Sequence, residues 1–353
     1  MTSKGAAVAT SPRLGGFLRS FAHRLTDEPI VLPDEGGLPS LERATRWLSS
    51  PPLTAEDLTG RVVLINFWTY TCINWIRTLP YLQAWDSKYR DHGLTIIGVH
   101  TPEFGFEHDV DNVISAMENL DVAYPVAMDN GYEIWVAFDN YFWPATYIAD
   151  GRGRIRYHHF GEGEYAMTEM VIQRLLTAEG NESIDLDLAS VEPSGMALAA
   201  DWHNLRTPET YLGSARLSGF VSPSRSRLGE PRDYTAPIGL GFNQWALSGK
   251  WTIGQHAAML NEPVGRIAFR FYARDLNLVM GPVEPRTSLA FRVFLDGVAP
   301  RHHHGVDVDD QGKGTVSDQR LYQLIRQTGS VEDRLFEIEF EEAGVEAYSF
   351  TFG

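Results

Sequence analysis

Cysteine is almost absent from this sequence, whose 353 residues include only Cys72. A disulfide within the chain is therefore excluded. Secreted proteins of this size often carry disulfides, so we expect a reducing, cytoplasmic location. A continuous apolar stretch is also missing from the N-terminal segment, which carries scattered basic residues instead. Residues 1–39 are predicted to form a flexible arm rather than a signal peptide or a membrane span.

Basic residues are fewer than acidic ones, 30 against 46, which gives a formal net charge of −16. This balance argues against nucleic acid or a membrane surface as a partner, because electrostatics would oppose both contacts. We predict no metal site and no cofactor. The run His302-His303-His304 and the acidic stretch after it match a calcium loop poorly, and we interpret them as a solvated loop.

The chain is longer than one average domain, and its pattern changes near residue 180. Between 40 and 180, apolar runs such as Val62–Trp68 alternate with helical spacing, which predicts an α/β domain with a mixed sheet. Residues 181–206 show little periodicity and are predicted to be a linker. From 207 to 353, alternating runs such as Leu289–Leu295 predict an all-β antiparallel sandwich of jelly-roll type.

A motif at the end of the first buried strand carries the main functional signal: Phe67-Trp68-Thr69-Tyr70-Thr71-Cys72-Ile73-Asn74-Trp75. Together with Pro80 and the later Trp143-Pro144 segment, this motif resembles the thioredoxin superfamily, in particular the TlpA/ResA-like proteins, which are grouped with the AhpC/TSA family. The resemblance implies a thioredoxin fold for residues 40–180, with a cis-proline facing a redox-active Cys72. It also implies a substrate site formed by nearby side chains: Trp68, Tyr70, Trp75, Trp143 and Pro144.

The segment Thr207-Pro208-Glu209-Thr210-Tyr211-Leu212-Gly213 extends the resemblance into the second domain. It looks like the start of the β-sandwich that follows the thioredoxin domain in DipZ-type proteins and is similar to a carbohydrate-binding module. A protein or glycan ligand of the sandwich is therefore an expectation. Trp245, Trp251 and Phe242 are the candidates for stacking on a sugar, although aromatic residues of a sandwich more often form its core.

Position 75 departs from the family pattern, because the dithiol motif Cys-x-x-Cys is here Cys72-Ile73-Asn74-Trp75. A dithiol enzyme resolves its mixed disulfide with the second thiolate, which Trp75 cannot supply. We therefore expect a thiol oxidoreductase whose single redox cysteine is resolved by an external thiol, either a low-molecular-weight thiol or a thioredoxin-type protein. The position of Cys72 at the start of a helix is expected to lower its pKa.

Two other functions stay open. The spacing Thr69-Tyr70-Thr71-Cys72 suggests an antioxidant one-cysteine peroxidase of AhpC/TSA type, with Thr69 as a catalytic residue that would hydrogen-bond the thiolate or the peroxide. Ile65, however, stands where peroxidases have a proline, and Pro144 stands where they have an arginine. The other alternative is a non-catalytic protein whose two domains bind a partner and whose Cys72 is an inert buried thiol.

Overall fold

The computed structural model describes residues 32–181, 183–222 and 229–353. Up to position 31, the predicted N-terminal arm lies outside the described residues. In the described part, the first half of the chain forms a six-stranded mixed sheet with helices packed against it. The strands are β1 Arg46–Leu48, β2 Val62–Trp68, β3 Leu94–His100, β4 Val126–Met128, β5 Ala145–Ala149 and β6 Ile155–Phe160. The helices are α1 Ala55–Leu58, α2 Ile73–Tyr89, α3 Val110–Asn119, α4 Glu133–Ala137 and α5 Tyr165–Ala178.

The strands of this sheet follow the order β1-β4-β3-β2-β5-β6. The central strand β2 pairs in parallel with β3 and antiparallel with β5. All seven residues of β2 are buried, because side chains that alternate along a strand enter hydrophobic clusters on opposite faces of the sheet. The predicted α/β thioredoxin fold is thereby confirmed. The sequence pattern does not predict β1, which is three residues long and pairs with the distant β4.

The described residues of the second half form an antiparallel sheet of eleven strands. The first six are β7 Thr210–Tyr211, β8 Arg232–Tyr234, β9 Trp245–Ile253, β10 Ala258–Leu260, β11 Gly265–Phe271 and β12 Asp275–Pro282. The remaining strands are β13 Leu289–Leu295, β14 Lys313–Val316, β15 Arg320–Arg326, β16 Arg334–Phe340 and β17 Val345–Phe352.

This sheet folds over on itself within β9. Residues of β9 before Gly249 pair with β11, whereas those from Gly249 onward pair with β8 and β10. Gly249 has a φ of 95°, and a Cβ there would lie 2.6 Å from the Val264 carbonyl oxygen, so the position requires glycine. Between the two layers, Phe350 of β17 contacts Phe269 of β11 and Phe336 of β16, with ring centroids 5.1 and 5.9 Å apart. The predicted β-sandwich is confirmed.

Residues 181–206 connect the halves, and the described ones form no regular element except a short 3₁₀ turn at Gly195–Ala197. Both halves nevertheless bind this segment. The Ala189 N–H donates to Glu169 of α5 at 2.8 Å, and Arg326 of β15 donates to the Gly195 carbonyl at 2.8 Å. The connecting segment therefore lies along the two halves and does not extend away from them.

The two halves also share one hydrophobic cluster. Residues around Trp68 pack there with side chains from the second half: Ala257, Val279, Leu321 and Tyr348. The rings of Tyr348 and Phe106 lie 4.8 Å apart between their centroids. In addition, the buried Arg77 of α2 lies 3.7 Å from the Asp275 carboxylate of β12. The helix that begins after Cys72 is thus bound directly to the sandwich.

Candidate active site

Cys72 is the N-cap residue of α2, in the turn that follows β2. The turn is closed by a hydrogen bond from the Cys72 N–H to the Thr69 carbonyl, 3.2 Å long. Cys72 has extended backbone angles, φ −79° and ψ 111°, and the N–H groups of Asn74 and Trp75 interact with its sulfur. Its side chain is half-buried. Cys72 therefore lies at the turn between a strand and a helix, as the sequence predicts.

The thiol faces the segment that precedes β5. The Trp143-Pro144 peptide bond is cis, as the family resemblance implies, and Cys72 Sγ lies 3.8 Å from the Trp143 carbonyl oxygen. This distance suits a weak hydrogen bond donated by the thiol. The indole N–H of Trp143 donates to the Thr101 carbonyl at 3.1 Å, in the loop after β3. Of the predicted site residues, Trp143 and Pro144 are thus placed beside Cys72.

The pKa of Cys72 differs from the expectation. Burial raises the pKa of the thiol above its ordinary value, and the carboxylates of Glu103 and Glu209 shift it in the same direction. The N–H groups of Trp75 and Asn74 lower the pKa but do not offset the burial. The prediction of a lowered pKa is therefore wrong, because Cys72 is half-buried and packs against a hydrophobic cluster to which both halves of the chain contribute.

Three of the predicted substrate-binding side chains lie inside the protein. Trp68 and Trp75 are fully buried and Tyr70 is 4% exposed, so the expectation that these side chains form a substrate site is wrong. Trp75 stacks on Trp68 with ring centroids 4.2 Å apart, and its indole N–H donates to Asn66 Oδ1 of β2 at 3.0 Å. The residue in place of a second cysteine is therefore a core residue that joins α2 to the sheet.

Thr69 is also fully buried, and among the described residues no hydrogen bond joins its hydroxyl to Cys72 Sγ. The Thr69 hydroxyl is buried without a hydrogen-bond partner among the described residues, whereas the neighbouring Thr71 Oγ1 donates to Glu107 Oε1 at 2.6 Å. The other Glu107 oxygen accepts a hydrogen bond from the Phe104 N–H at 2.8 Å. Burial raises the pKa of Glu107 to about 7. The geometry that a peroxidase requires of Thr69 is thus not formed in this structure.

The second half supplies one wall of the site. Tyr211 of β7 donates its hydroxyl proton to Glu103 Oε1 at 2.7 Å, and Arg216 donates to the same oxygen at 2.9 Å. Burial raises the pKa of Glu209 to about 8, and the neighbouring Glu103 carboxylate adds to the shift. Sequence reasoning missed all four of these residues and Glu107, because no local motif indicates which segments of the two halves come together beside the thiol.

Other predicted features lie elsewhere. Trp245 and Trp251 are fully buried while Phe242 is exposed, so the proposed sugar-stacking platform is wrong for both tryptophans, which are core residues. Asp307, near the histidine run, accepts a hydrogen bond from Arg320 at 2.7 Å. Within residues 32–181, 183–222 and 229–353, no group of acidic, histidine or cysteine side chains is arranged to hold a metal ion, and no helix is long and apolar enough to span a membrane.

Two family descriptions match the sequence: the AhpC/TSA family at residues 48–158 and the thioredoxin like C-terminal domain at residues 207–353. Protein DipZ of Mycobacterium bovis is 34% identical over 287 residues, which cover 79% of this chain and 40% of that protein. The thiol-disulfide oxidoreductase YkuV of Bacillus subtilis is 28% identical over 140 residues, which cover 39% of this chain and 93% of that protein. A thioredoxin-like protein solved in its oxidized form in solution is 27% identical, with 42% and 95% coverage and a TM-score of 0.35.

The chain spans about two fifths of the length of the DipZ relatives, 40%. The similarity to DipZ extends over both halves, and the two family matches fall on the α/β half and on the sandwich. The strand order and the cis-proline opposite Cys72 agree with these matches. These matches support a thioredoxin-like protein of TlpA/ResA type, in which residues 48–158 match the AhpC/TSA family and residues 207–353 match the thioredoxin like C-terminal domain.

Proposed function

We propose that this protein is a thiol oxidoreductase whose single redox thiol, Cys72, is resolved by an external thiol. In the first step, the Cys72 thiolate attacks one sulfur of a substrate disulfide. A mixed disulfide forms, the substrate S–S bond breaks, and the released thiolate takes up a proton. In the second step, an external thiolate attacks the substrate sulfur of the mixed disulfide, which yields a new disulfide and releases Cys72 as the leaving thiolate.

The position of the sulfur supports this proposal. Cys72 is a half-buried residue at the start of a helix, and its Sγ lies 3.8 Å from the Trp143 carbonyl oxygen, so a bound chain could reach both the thiol and the neighbouring backbone. Trp75, in the place of a resolving cysteine, is fully buried and offers no sulfur. An external thiol must therefore complete the cycle.

Trapping of the mixed disulfide tests the proposal. The wild type is incubated with bis(2-hydroxyethyl) disulfide, and intact-mass and peptide-mapping measurements are expected to find one hydroxyethylthio group on Cys72. Glutathione should remove this group, and repeated cycles should consume the disulfide faster than glutathione alone does. Cys72→Ser is the matched control and should show neither effect. An adduct that no thiol removes, or the absence of any adduct, would contradict the proposal.

A non-catalytic binding protein is the second candidate, and the raised pKa of Cys72 favours it because little thiolate is present at neutral pH. In that case wild type and Cys72→Ser should behave alike in the turnover assay. The one-cysteine antioxidant peroxidase has less support, since among the described residues no hydrogen bond joins the buried Thr69 hydroxyl to the Cys72 sulfur.

The cellular context is part of the proposal. We propose that the protein acts in the cytoplasm, where a low-molecular-weight thiol or a thioredoxin-type protein would resolve Cys72. Nucleic acid and membranes are not proposed as partners because the net charge is −16. The second half is proposed to bind a protein or a glycan, in the manner of a carbohydrate-binding module. The exposed Phe242 remains as its aromatic candidate.

A further inference from the structure

The segment between β3 and α3 contacts both sides of the thiol site. On one side, its Thr101 carbonyl accepts a hydrogen bond from the indole N–H of Trp143 at 3.1 Å, and the carbonyl oxygen of Trp143 lies 3.8 Å from Cys72 Sγ. On the other side, its Glu107 Oε1 lies 2.6 Å from the Oγ1 atom of Thr71, the residue before the cysteine. The same segment therefore holds the turn that carries the thiol and the backbone that faces it.

The carboxyl group of Glu107 uses its two oxygens differently. Oε2 accepts hydrogen bonds from the N–H groups of Glu103 and Phe104, at 2.6 and 2.8 Å, and so caps the short 3₁₀ turn Gly105–His108. The cap requires only this oxygen. Oε1 instead reaches Thr71, which precedes Glu107 by 36 residues in the chain. Because Glu107 is fully buried, the contact with Thr71 also satisfies an oxygen that solvent does not reach.

This contact is compatible with both charge states of Glu107. Oε2 already accepts two N–H donors, so the proton of a neutral carboxyl would lie on Oε1 and be donated to Thr71 Oγ1. An ionised carboxylate accepts the proton of the Thr71 hydroxyl instead. Burial raises the pKa of Glu107 to about 7, and titration near that pH reverses the direction of the hydrogen bond without breaking it. An amide at this position can form the same three hydrogen bonds as the neutral carboxyl.

We propose that Glu107 is a positioning residue, which holds Cys72 at the distance from the Trp143 backbone that an extended polypeptide disulfide requires. This inference rests on the proposed function and names its substrate class. A polypeptide substrate uses both the thiol and the Trp143 backbone, whereas a small disulfide needs only the thiol. In either case the Cys72 thiolate forms the new S–S bond, the substrate S–S bond breaks, and the released thiolate takes up a proton.

The test compares two neutral reagents with the same thiol. One is the disulfide-linked dimer of the capped peptide Ser-Ala-Cys-Ala-Ser, and the other is bis(2-hydroxyethyl) disulfide. Intact-mass measurements give the rate of mixed-disulfide formation at Cys72 with each reagent. The ratio of the peptide rate to the small-disulfide rate cancels changes in the pKa of Cys72, because both reagents react with the same thiolate. The wild-type ratio should exceed that of an unstructured cysteine peptide.

Thr71→Val removes the hydroxyl that contacts Glu107 and keeps most of the side-chain volume. It should lower the ratio about tenfold, because it loosens the turn relative to the Trp143 backbone. Glu107→Leu is a second variant that breaks the same contact and should lower the ratio in the same way. Urea unfolding confirms that each variant is folded under the assay conditions.

Three further variants separate positioning from a general loss of packing. Thr71→Ser and Glu107→Gln keep the hydrogen bond between the turn and the β3–α3 segment, and both should keep the wild-type ratio. Thr78→Val is the matched control, because it removes another buried threonine hydroxyl of α2, one that donates to the Asn74 carbonyl at 2.9 Å. This variant should also keep the wild-type ratio.

The outcomes separate the two proposals. If the small disulfide modifies Cys72 but the wild-type ratio is no higher than that of the cysteine peptide, the positioning role is refuted and the proposed function stands. The same conclusion follows if Thr71→Val and Glu107→Leu keep the wild-type ratio. An equal fall of the ratio in Thr78→Val, or in both Thr71→Ser and Glu107→Gln, would assign the effect to packing and would also refute the role. If neither reagent modifies Cys72, both proposals fail.

Discussion

Replacement of Trp75 should destabilise the protein strongly, although the family pattern places a reactive cysteine at this position. The indole is fully buried and stacks on Trp68, and its N–H satisfies Asn66 Oδ1 on the central strand. Removal of a buried tryptophan side chain costs about 3–5 kcal/mol. Trp75→Ala should therefore lower the free energy of unfolding by about 4 kcal/mol, a large fraction of the roughly 5–15 kcal/mol available to a native protein.

A second variant separates the two contributions. Trp75→Phe keeps most of the stacked ring but leaves the buried Asn66 Oδ1 without its donor, which should cost about 1–3 kcal/mol. Trp75→Cys should be destabilised nearly as much as Trp75→Ala, since a thiol leaves most of the indole volume empty. Dithiol activity introduced by that variant must therefore be measured per folded molecule, whereas the wild type should not reduce insulin without an added thiol.

Urea unfolding followed by far-UV circular dichroism measures these differences without relying on tryptophan fluorescence. Trp202→Phe is the matched control, because Trp202 is 61% exposed and its replacement should change stability by less than about 0.5 kcal/mol. A loss below about 1 kcal/mol for Trp75→Ala would refute the argument, since a core tryptophan cannot be removed at so small a cost.

Three further predictions follow from the site and the connecting segment. Because the pKa of Cys72 is raised, iodoacetamide should label it more slowly at pH 7 than an unstructured cysteine peptide, and the rate should still be rising above pH ~8.5; equal or faster labelling at pH 7 would contradict this. The pKa of Glu107 is raised from 4.5 to about 7, so between these two pH values the folded state holds a proton that the unfolded state has lost. The free energy of unfolding should therefore fall by about 3 kcal/mol as the pH rises from about 4.5 to about 7. Glu107→Gln should remove this decrease in urea unfolding between pH 5 and 8, and an unchanged decrease would assign it to other groups. Limited proteolysis should cut first within 181–206, which contains few regular elements, and a first cut between 61 and 160 would be inconsistent with the proposed domain boundary.

Much of the fold can be predicted from the sequence because its elements carry local signals. The apolar run of β2 and the helical spacing after Cys72 identify the strand and helix that position the thiol, and alternation identifies the sandwich strands. β1 could not be predicted in the same way, since its three residues form a strand only by pairing with β4, far along the chain. Likewise, β9 contributes to both layers only because the chain bends at Gly249.

The residues of the site also differ in whether a local sequence signal predicts them. Cys72 and Pro144 could be predicted because both belong to motifs of a known family, and the structure places them together. The position of Trp75 in the motif suggests a site residue, whereas its contacts make it a core residue. Glu209 and Arg216 could not be predicted, since they reach the site only through the packing of one half of the chain against the other.

The chemistry of Cys72 is therefore set by two effects of different range. The helix start, which is encoded next to the cysteine, favours the thiolate through the N–H groups of Asn74 and Trp75. The surroundings of the sulfur oppose it, because burial and the carboxylates of Glu103 and Glu209 favour the neutral thiol. The second effect is the larger one because burial is its main cause, so the reactivity of this thioredoxin-like site should depend on how far the sulfur is exposed.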